Sequence, residues 1–274
     1  MFNQIKVGKL GVAVAVAGAL QVLAPGALAA DFEDFTIDPS AYTPLLGQGP
    51  FDADQMTFRY DEVISFTATD FFASILLEVQ GFALDGSGTG LDPIDTGEGI
   101  EYNLYALFQA TGGYQITGND VNFLPATGGF NFWLDPGVVS PATVTTFSTP
   151  GNGALPYNVI QGGDDVLLAT GVVTGGDGSL DLTCAGGINC GSFGVETSFE
   201  LEPAGTSFFT APDPFFKLAF TAGVFSAFGV VPGQTVNIGG AGDLVFVPAP
   251  SAILLLGSGL LGAGFAARRR RKAS

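Results

Sequence analysis

Histidine is absent from all 274 residues. That removes Ser-His-Asp and Cys-His catalysis and the common zinc sites, all of which depend on an imidazole. Cations are almost as scarce, with nine Lys and Arg against 26 Asp and Glu. Lys6 and Lys9 lie near the start of the chain and five more cations fall in residues 268–272, which leaves Arg59 and Lys217 in between. Ser-Lys pairs and phosphate cradles have little to be built from, and no Walker or dinucleotide fingerprint occurs. All 26 acids fall between Asp31 and Asp243. The middle of the chain is therefore a polyanion that repels nucleic acid and draws cations.

Cysteine is limited to Cys184 and Cys190, in Cys-Ala-Gly-Gly-Ile-Asn-Cys. Gly186 and Gly187 allow the bend that brings the sulfurs together, so in an oxidising compartment a disulfide is expected here. Two thiolates without a histidine do not make a usual metal site. What the chain has in quantity is phenylalanine, with 25 residues, and glycine, with 41. Abundant aromatics argue against disorder, and abundant turn formers argue for many short strands.

The order of the chain supports an all-β domain. Ile64, Phe66 and Ala68 alternate with Ser65, Thr67 and Thr69, the period of a half-buried strand. Residues 71–84 read as a buried strand with Gly81 as a kink or bulge. Residues 100–108 alternate cleanly, and short strands are expected at 114–117, 121–124, 130–134, 142–148, 166–173, 193–201, 207–210, 216–220, 224–228, 235–238 and 244–247. No helix is expected before residue 251. These features predict a single β-sandwich or jelly-roll-like domain.

The two ends read differently. Lys6 and Lys9 precede an apolar run at residues 10–23, and Ala27-Leu28-Ala29 offers an A-x-A cleavage site. This is the pattern of a signal peptide over residues 1–29. At the other end, Val247-Pro248-Ala249-Pro250 is followed by 17 uncharged residues, 251–267, and then by Arg268, Arg269, Arg270, Arg271 and Lys272. Pro248 and Pro250 keep their segment extended. The uncharged run reaches about 26 Å as a helix, the short end of what a bilayer core needs. Ser258 with Gly262, and Gly259 with Ala263, allow close helix approach in lipid. The basic block would hold its end in the cytoplasm. The alternative is a buried core helix with a basic tail.

This order of proline motif, Gly-rich apolar helix and terminal Arg cluster resembles the PEP-CTERM sorting signal of Gram-negative bacteria. The resemblance implies recognition by an exosortase, a membrane transpeptidase analogous in role to sortase. It departs from the usual Val-Pro-Glu-Pro at Ala249, where the family carries glutamate. Three internal runs, at residues 102–112, 163–171 and 186–194, are similar to the flocculation-associated subgroup, whose members are implicated in binding cells within exopolysaccharide flocs. The expected organisation is a leader at 1–29, an exported acidic domain at 30–246 and a sorting signal at 247–274.

Three chemistries remain to be weighed inside the domain. Glu101, Glu196, Glu200 and Glu202 are candidates for the paired carboxylates of a glycosidase, the last three sharing one strand parity. Asp92, Asp95 and Glu98 lie in a Gly-bearing loop whose oxygen donors suit calcium, and Asp164-Asp165 is a weaker pair. Tyr102, Tyr105, Tyr114 and Trp133 are candidates for stacking on sugar rings. The expectation is a non-enzymatic surface or matrix protein. It passes through an inner-membrane intermediate, held by its carboxyl-terminal helix, to the cell surface or extracellular matrix, and its partners are an exosortase and exopolysaccharide. A carbohydrate-binding module and a jelly-roll glycosidase are the alternatives.

Overall fold

The computed structural model describes residues 32–84, 90–136, 163–184 and 189–248. Ala27 and Ala29 of the expected signal-peptide cleavage site, the strand expected at 142–148, the remainder of the expected sorting signal from Ala249 and the basic cluster Arg268, Arg269, Arg270, Arg271 and Lys272 lie outside these segments.

Thirteen strands and two single-turn helices follow in the order β1 (Phe35–Ile37), β2 (Phe51–Ala53), β3 (Gln55–Phe66), β4 (Asp70–Ala83), α1 (Pro93–Thr96), β5 (Tyr102–Thr117), β6 (Asp120–Phe123), β7 (Thr127–Pro136), β8 (Val166–Asp181), β9 (Gly191–Ser198), β10 (Glu200–Leu201), α2 (Gly205–Phe208), β11 (Phe209–Ala211), β12 (Leu218–Phe225) and β13 (Thr235–Val247). The all-β class expected from composition is what forms. The expected sandwich is not: the large antiparallel sheet closes on itself as an eight-stranded barrel. Closure comes from β8, which pairs with β7 and β6 on one side and with β9 on the other. Strands β6 and β7 together fill one position of the circuit, each pairing with a different part of β5. A full circuit leaves the barrel without an edge strand.

Strand β3 shows why the sequence builds this wall. Phe58, Tyr60, Ile64 and Phe66 are buried and recur at every second position, while Gln55, Thr57, Arg59, Asp61 and Ser65 take the alternate positions. Strands β9 and β13 repeat the pattern, with Ser192, Glu196, Thr235, Asn237 and Asp243 exposed. Apart from Glu62 on the inner row of β3 and the buried Val63 on its outer row, inward positions are mainly apolar and these outer positions polar, the reverse of a lipid-facing barrel.

Several expected strands merge. Residues 235–238 and 244–247 are two ends of β13, and 216–220 and 224–228 overlap the one strand β12. Strand β8 runs through Gly175 and Gly176. These glycines do not end strands, and at several glycines within strands the partner backbone comes close. A Cβ on Gly171 would run into the Ser198 carbonyl oxygen and the Phe130 ring, and one on Gly242 into the Ala222 carbonyl oxygen. Gly81 was expected as a kink, and the β3–β4 register does shift there, Thr57 pairing with Gly81 and Phe58 with Val79. The segment expected as a strand at 207–210 instead splits into α2 and β11.

One end of the barrel is closed by the small sheet β11-β1-β2. Phe246, at the end of β13, packs against Phe35 of β1 at 4.9 Å, against Phe199 at 4.8 Å and against Phe215 at 4.8 Å between ring centroids. At the opposite end Phe66, Phe71, Tyr114, Phe123, Phe225 and Phe228 form a second cluster, with Phe66–Tyr114 and Phe71–Phe123 both at 5.5 Å in edge-to-face contact. Offset and edge-to-face pairs of this kind add stability beyond their buried area. Near this second end Cys184 and Cys190 are joined by a disulfide, and Cys190 is buried in the core.

Candidate functional site

Between the two aromatic clusters the barrel encloses a cavity of about 120 Å³. Its lining is almost wholly apolar and includes the rings of Phe58, Tyr60, Phe71, Phe108, Phe130 and Phe193. Phe108 and Phe130 stack with planes 6° apart and centroids 6.1 Å apart. Ile75, Phe108, Phe193 and Val195 point inward and are nevertheless half-buried, because they face free space instead of other side chains.

One buried carboxyl group lines this space. Glu62 sits on the apolar row of β3, between Tyr60 and Ile64, and is 5% exposed. Its register partners are Ile75 on β4 and Ile238 on β13, which offer it nothing polar. The nearby Tyr60 hydroxyl donates to the Val224 carbonyl oxygen at 2.8 Å and is engaged there. Among the described residues none hydrogen-bonds to the Glu62 carboxyl. Burial in apolar surroundings disfavours its charged form and pushes its pKa up to about 8. It therefore holds its proton at neutral pH. The Tyr60 phenol is pushed up as well, by burial first and by the Glu62 charge second.

The wall of this cavity has a gap. Strand β5 pairs with β7 as far as Thr111 and with β6 from Tyr114 onward. Strand β8 pairs with β7 as far as Val172 and with β6 from Gly178 onward. Between these limits residues 173–177 of β8 have no β6 or β7 partner. Leu124 and Ala126, in the turn between β6 and β7, line the cavity here together with Gly175, Gly176 and Asp177. Leu124 is 38% exposed and Asp177 is exposed, so the cavity reaches solvent at this flank.

The residues singled out from sequence are placed elsewhere. Asp92 caps α1, accepting from the Ile94 amide at 2.9 Å, and Asp95 is exposed. Glu98 is buried beside Tyr102 and its pKa is raised to about 7 by burial. Among the described residues no three His, Cys, Asp or Glu side chains are grouped so as to hold a metal ion. Asp165 accepts from the Tyr105 hydroxyl at 2.7 Å, and Asp135 beside it is raised to about 6 by burial, then by Asp165 and Asp164. Glu101 is buried and holds the 45–46 turn, accepting from the Leu45 amide at 2.6 Å and the Leu46 amide at 3.1 Å. Glu196 and Glu200 are exposed on β9 and β10, and Glu202 is half-buried beyond them.

The tyrosines proposed for sugar stacking are structural. Tyr102, Tyr105 and Tyr114 are buried, with their hydroxyls donating to the Thr96 carbonyl, the Asp165 carboxyl and the Thr67 carbonyl. Trp133 is half-buried on β7. Glu62 was missed, although its signal was present: it is the one acid in the alternating row Phe58, Tyr60, Glu62, Ile64, Phe66.

The segment expected as a sorting motif begins inside the fold. Val247 is the last residue of β13 and pairs with Leu218 of β12, and Pro248 follows it exposed. Ala249 and Pro250 lie outside the described residues. No protein-family model matches the chain, and neither a curated protein nor a solved structure matches it.

Proposed function

We propose that this protein is an exported surface or matrix protein, routed by a PEP-CTERM signal at Val247-Pro248-Ala249-Pro250 to an exosortase, and that its barrel acts without catalysis in floc or biofilm cohesion. The observation that carries this reading is the charge layout of a rigid, water-facing barrel. Acids from many strands and loops are exposed, among them Asp52, Asp70, Asp120, Asp181, Glu196 and Asp243. Two cations stand against them, and Arg59 is already tied to Glu78 at 2.6 Å. Such a surface attracts divalent cations, which bridge it to anionic exopolysaccharide or to further copies of itself.

The edge position of the motif supports the same reading, because Pro248 leaves the barrel directly at the end of β13. Direct stacking of sugars on Tyr102, Tyr105 or Tyr114 draws no support from their burial, and the separated settings of Glu101, Glu196, Glu200 and Glu202 lend none to a glycosidase.

The test uses a deletion strain complemented with the full chain or with a chain lacking residues 247–274. The full chain should restore aggregation, and a chelator of divalent cations should disperse the restored aggregates. The shortened chain should change location and fail to restore them. Aggregation that persists unchanged in chelator would count against cation bridging, and unchanged location of the shortened chain would count against the sorting reading.

A further inference from the structure

The outer surface does not explain the inner one. An apolar cavity with a mouth at its flank and one unpartnered carboxyl group aimed into it is a costly arrangement for a scaffold. A buried polar group without a partner destabilises the fold, and filling its place with an apolar side chain would be the simpler solution. The cost is recovered if a ligand supplies the missing partner.

The chemistry of the walls narrows the ligand. The lining includes aromatic rings from four strands, Phe58 on β3, Phe108 on β5, Phe130 on β7 and Phe193 on β9. Aromatic faces carry negative charge density and attract a cation. The single carboxyl group among them, once ionised, pairs with the same cation. Outside, the excess of acids over cations raises the local concentration of positively charged small molecules and repels anions. Asp177 stands at the mouth with the same sign. The size is set by the free volume: an apolar cavity of about 150 Å³ accepts benzene, so the about 120 Å³ here suits one ring or a short branched chain.

We propose that the barrel is a receptor for a small hydrophobic amine, which enters between β6, β7 and β8, seats its apolar body among the aromatic rings and pairs its ammonium group with the Glu62 carboxylate. The proton balance follows. Glu62 is protonated in the empty barrel at neutral pH, so when an ammonium ion binds, the carboxyl group gives up its proton to solvent and one proton is released for each ligand. No bond to the ligand forms or breaks. Tyr60 and Asp177 are the other titratable groups lining the cavity. Tyr60 is already committed to the Val224 carbonyl, and Asp177 sits at the exposed mouth.

The inference is independent of the cohesion reading, because it concerns the interior and is measured on purified protein. Benzylamine and its neutral counterpart benzyl alcohol are titrated calorimetrically into the full chain at pH 7 and pH 9, in buffers of different ionisation enthalpy. The expected result is saturable binding of benzylamine, at least tenfold tighter than benzyl alcohol, with about one proton released at pH 7 and clearly less at pH 9. Glu62→Gln keeps the shape of the side chain and should abolish both the preference for the amine and the proton release. Ala106→Leu, which takes up part of the cavity from β5 without altering the Glu62 charge, should weaken both ligands together. Equal affinity for amine and alcohol, binding of benzylamine without proton release, or benzylamine affinity unchanged in Glu62→Gln would each overturn the proposal, as would no saturable binding of either probe. If Glu62→Gln fails to fold, the proton count on the unaltered chain decides alone.

Discussion

Glu62 and Ile75 face each other across the β3–β4 ladder, so a carboxyl group and an aliphatic side chain share one inward row of the barrel. On its inward row the alternation that makes β3 amphipathic is thus broken at a single point, Glu62, and the break lies where the barrel is not filled.

That point makes stability depend on pH in a defined sense. The Glu62 pKa is raised from 4.5 to about 8 on folding. Below 4.5 the group is protonated in both states and contributes nothing. Between these values the unfolded chain loses the proton while the folded chain keeps it, so stability falls as pH rises, and above 8 the loss levels off. The shift corresponds to about 5 kcal/mol at most. Glu98, raised to about 7, adds a loss of the same sign over a narrower window. Denaturant titrations of Glu62→Gln against the unaltered chain should give similar stability near pH 4.5 and a clear advantage for the variant at pH 9. Parallel pH profiles for the two proteins would show that the carboxyl group does not carry this dependence.

The aromatic floor should be a major source of stability. Phe246 is 2% exposed and touches rings from β1, from the residue between β9 and β10 and from the segment after β11. Phe246→Ala leaves a void that these backbone-anchored rings fill only in part, and should cost about 3–5 kcal/mol by equilibrium unfolding. Phe220→Ala on β12, at a position 39% exposed, should cost about 1 kcal/mol or less. Equal losses would contradict the assignment of the core.

Close strand approach gives a third contrast. A methyl group on Gly171 meets the Ser198 carbonyl and the Phe130 ring, whereas one on Gly49 meets nothing within 4 Å. Gly171→Ala should destabilise by about 1–3 kcal/mol or more through overpacking. Gly49→Ala should be neutral or stabilising by about 0.5 kcal/mol through the unfolded chain. Thermal midpoints measured side by side distinguish them.

The sorting reading also has a geometric consequence. Val247 is held in the β12–β13 ladder by its pairing with Leu218, so the folded barrel leaves no slack before Pro248. A Gly-Ser spacer inserted between Val247 and Pro248 should speed removal of the carboxyl-terminal segment, followed by pulse-chase and mass determination of the product. A processing rate indifferent to the spacer would mean that access to the motif is not limited by the barrel.

Much of the wall was legible in the sequence and its closure was not. Alternation expected over residues 64–69 marked only the end of β3, which stops at Phe66, and the same parity carried back to residue 58 holds Glu62, which only a reading of the whole row would have picked out. Glycines misled, because residues such as Gly175, Gly223 and Gly242 punctuate strands in most sequences but here sit within long ones, where partner backbones leave no room for a Cβ or the strand simply continues. Pairing of β8 with β9 decides between a sandwich and a barrel, and it joins residues on either side of the cysteine loop through register alone, with no residue type that announces it. The tyrosines looked like binding groups because a phenol at a strand position has the same letter whether it faces sugar or core; only the hydroxyl partners, Thr96, Asp165 and Thr67, tell them apart.

The ring contact between Phe35 and Phe246 brings the first and last strands of the described chain to the same pole of the barrel. A molecule tethered through its carboxyl-terminal extension therefore stands on that pole, with its amino-terminal flank beside the tether. Under the sorting proposal the opposite pole, near the Cys184–Cys190 bridge, points away from any such attachment, and the flank opening into the interior stays clear of it.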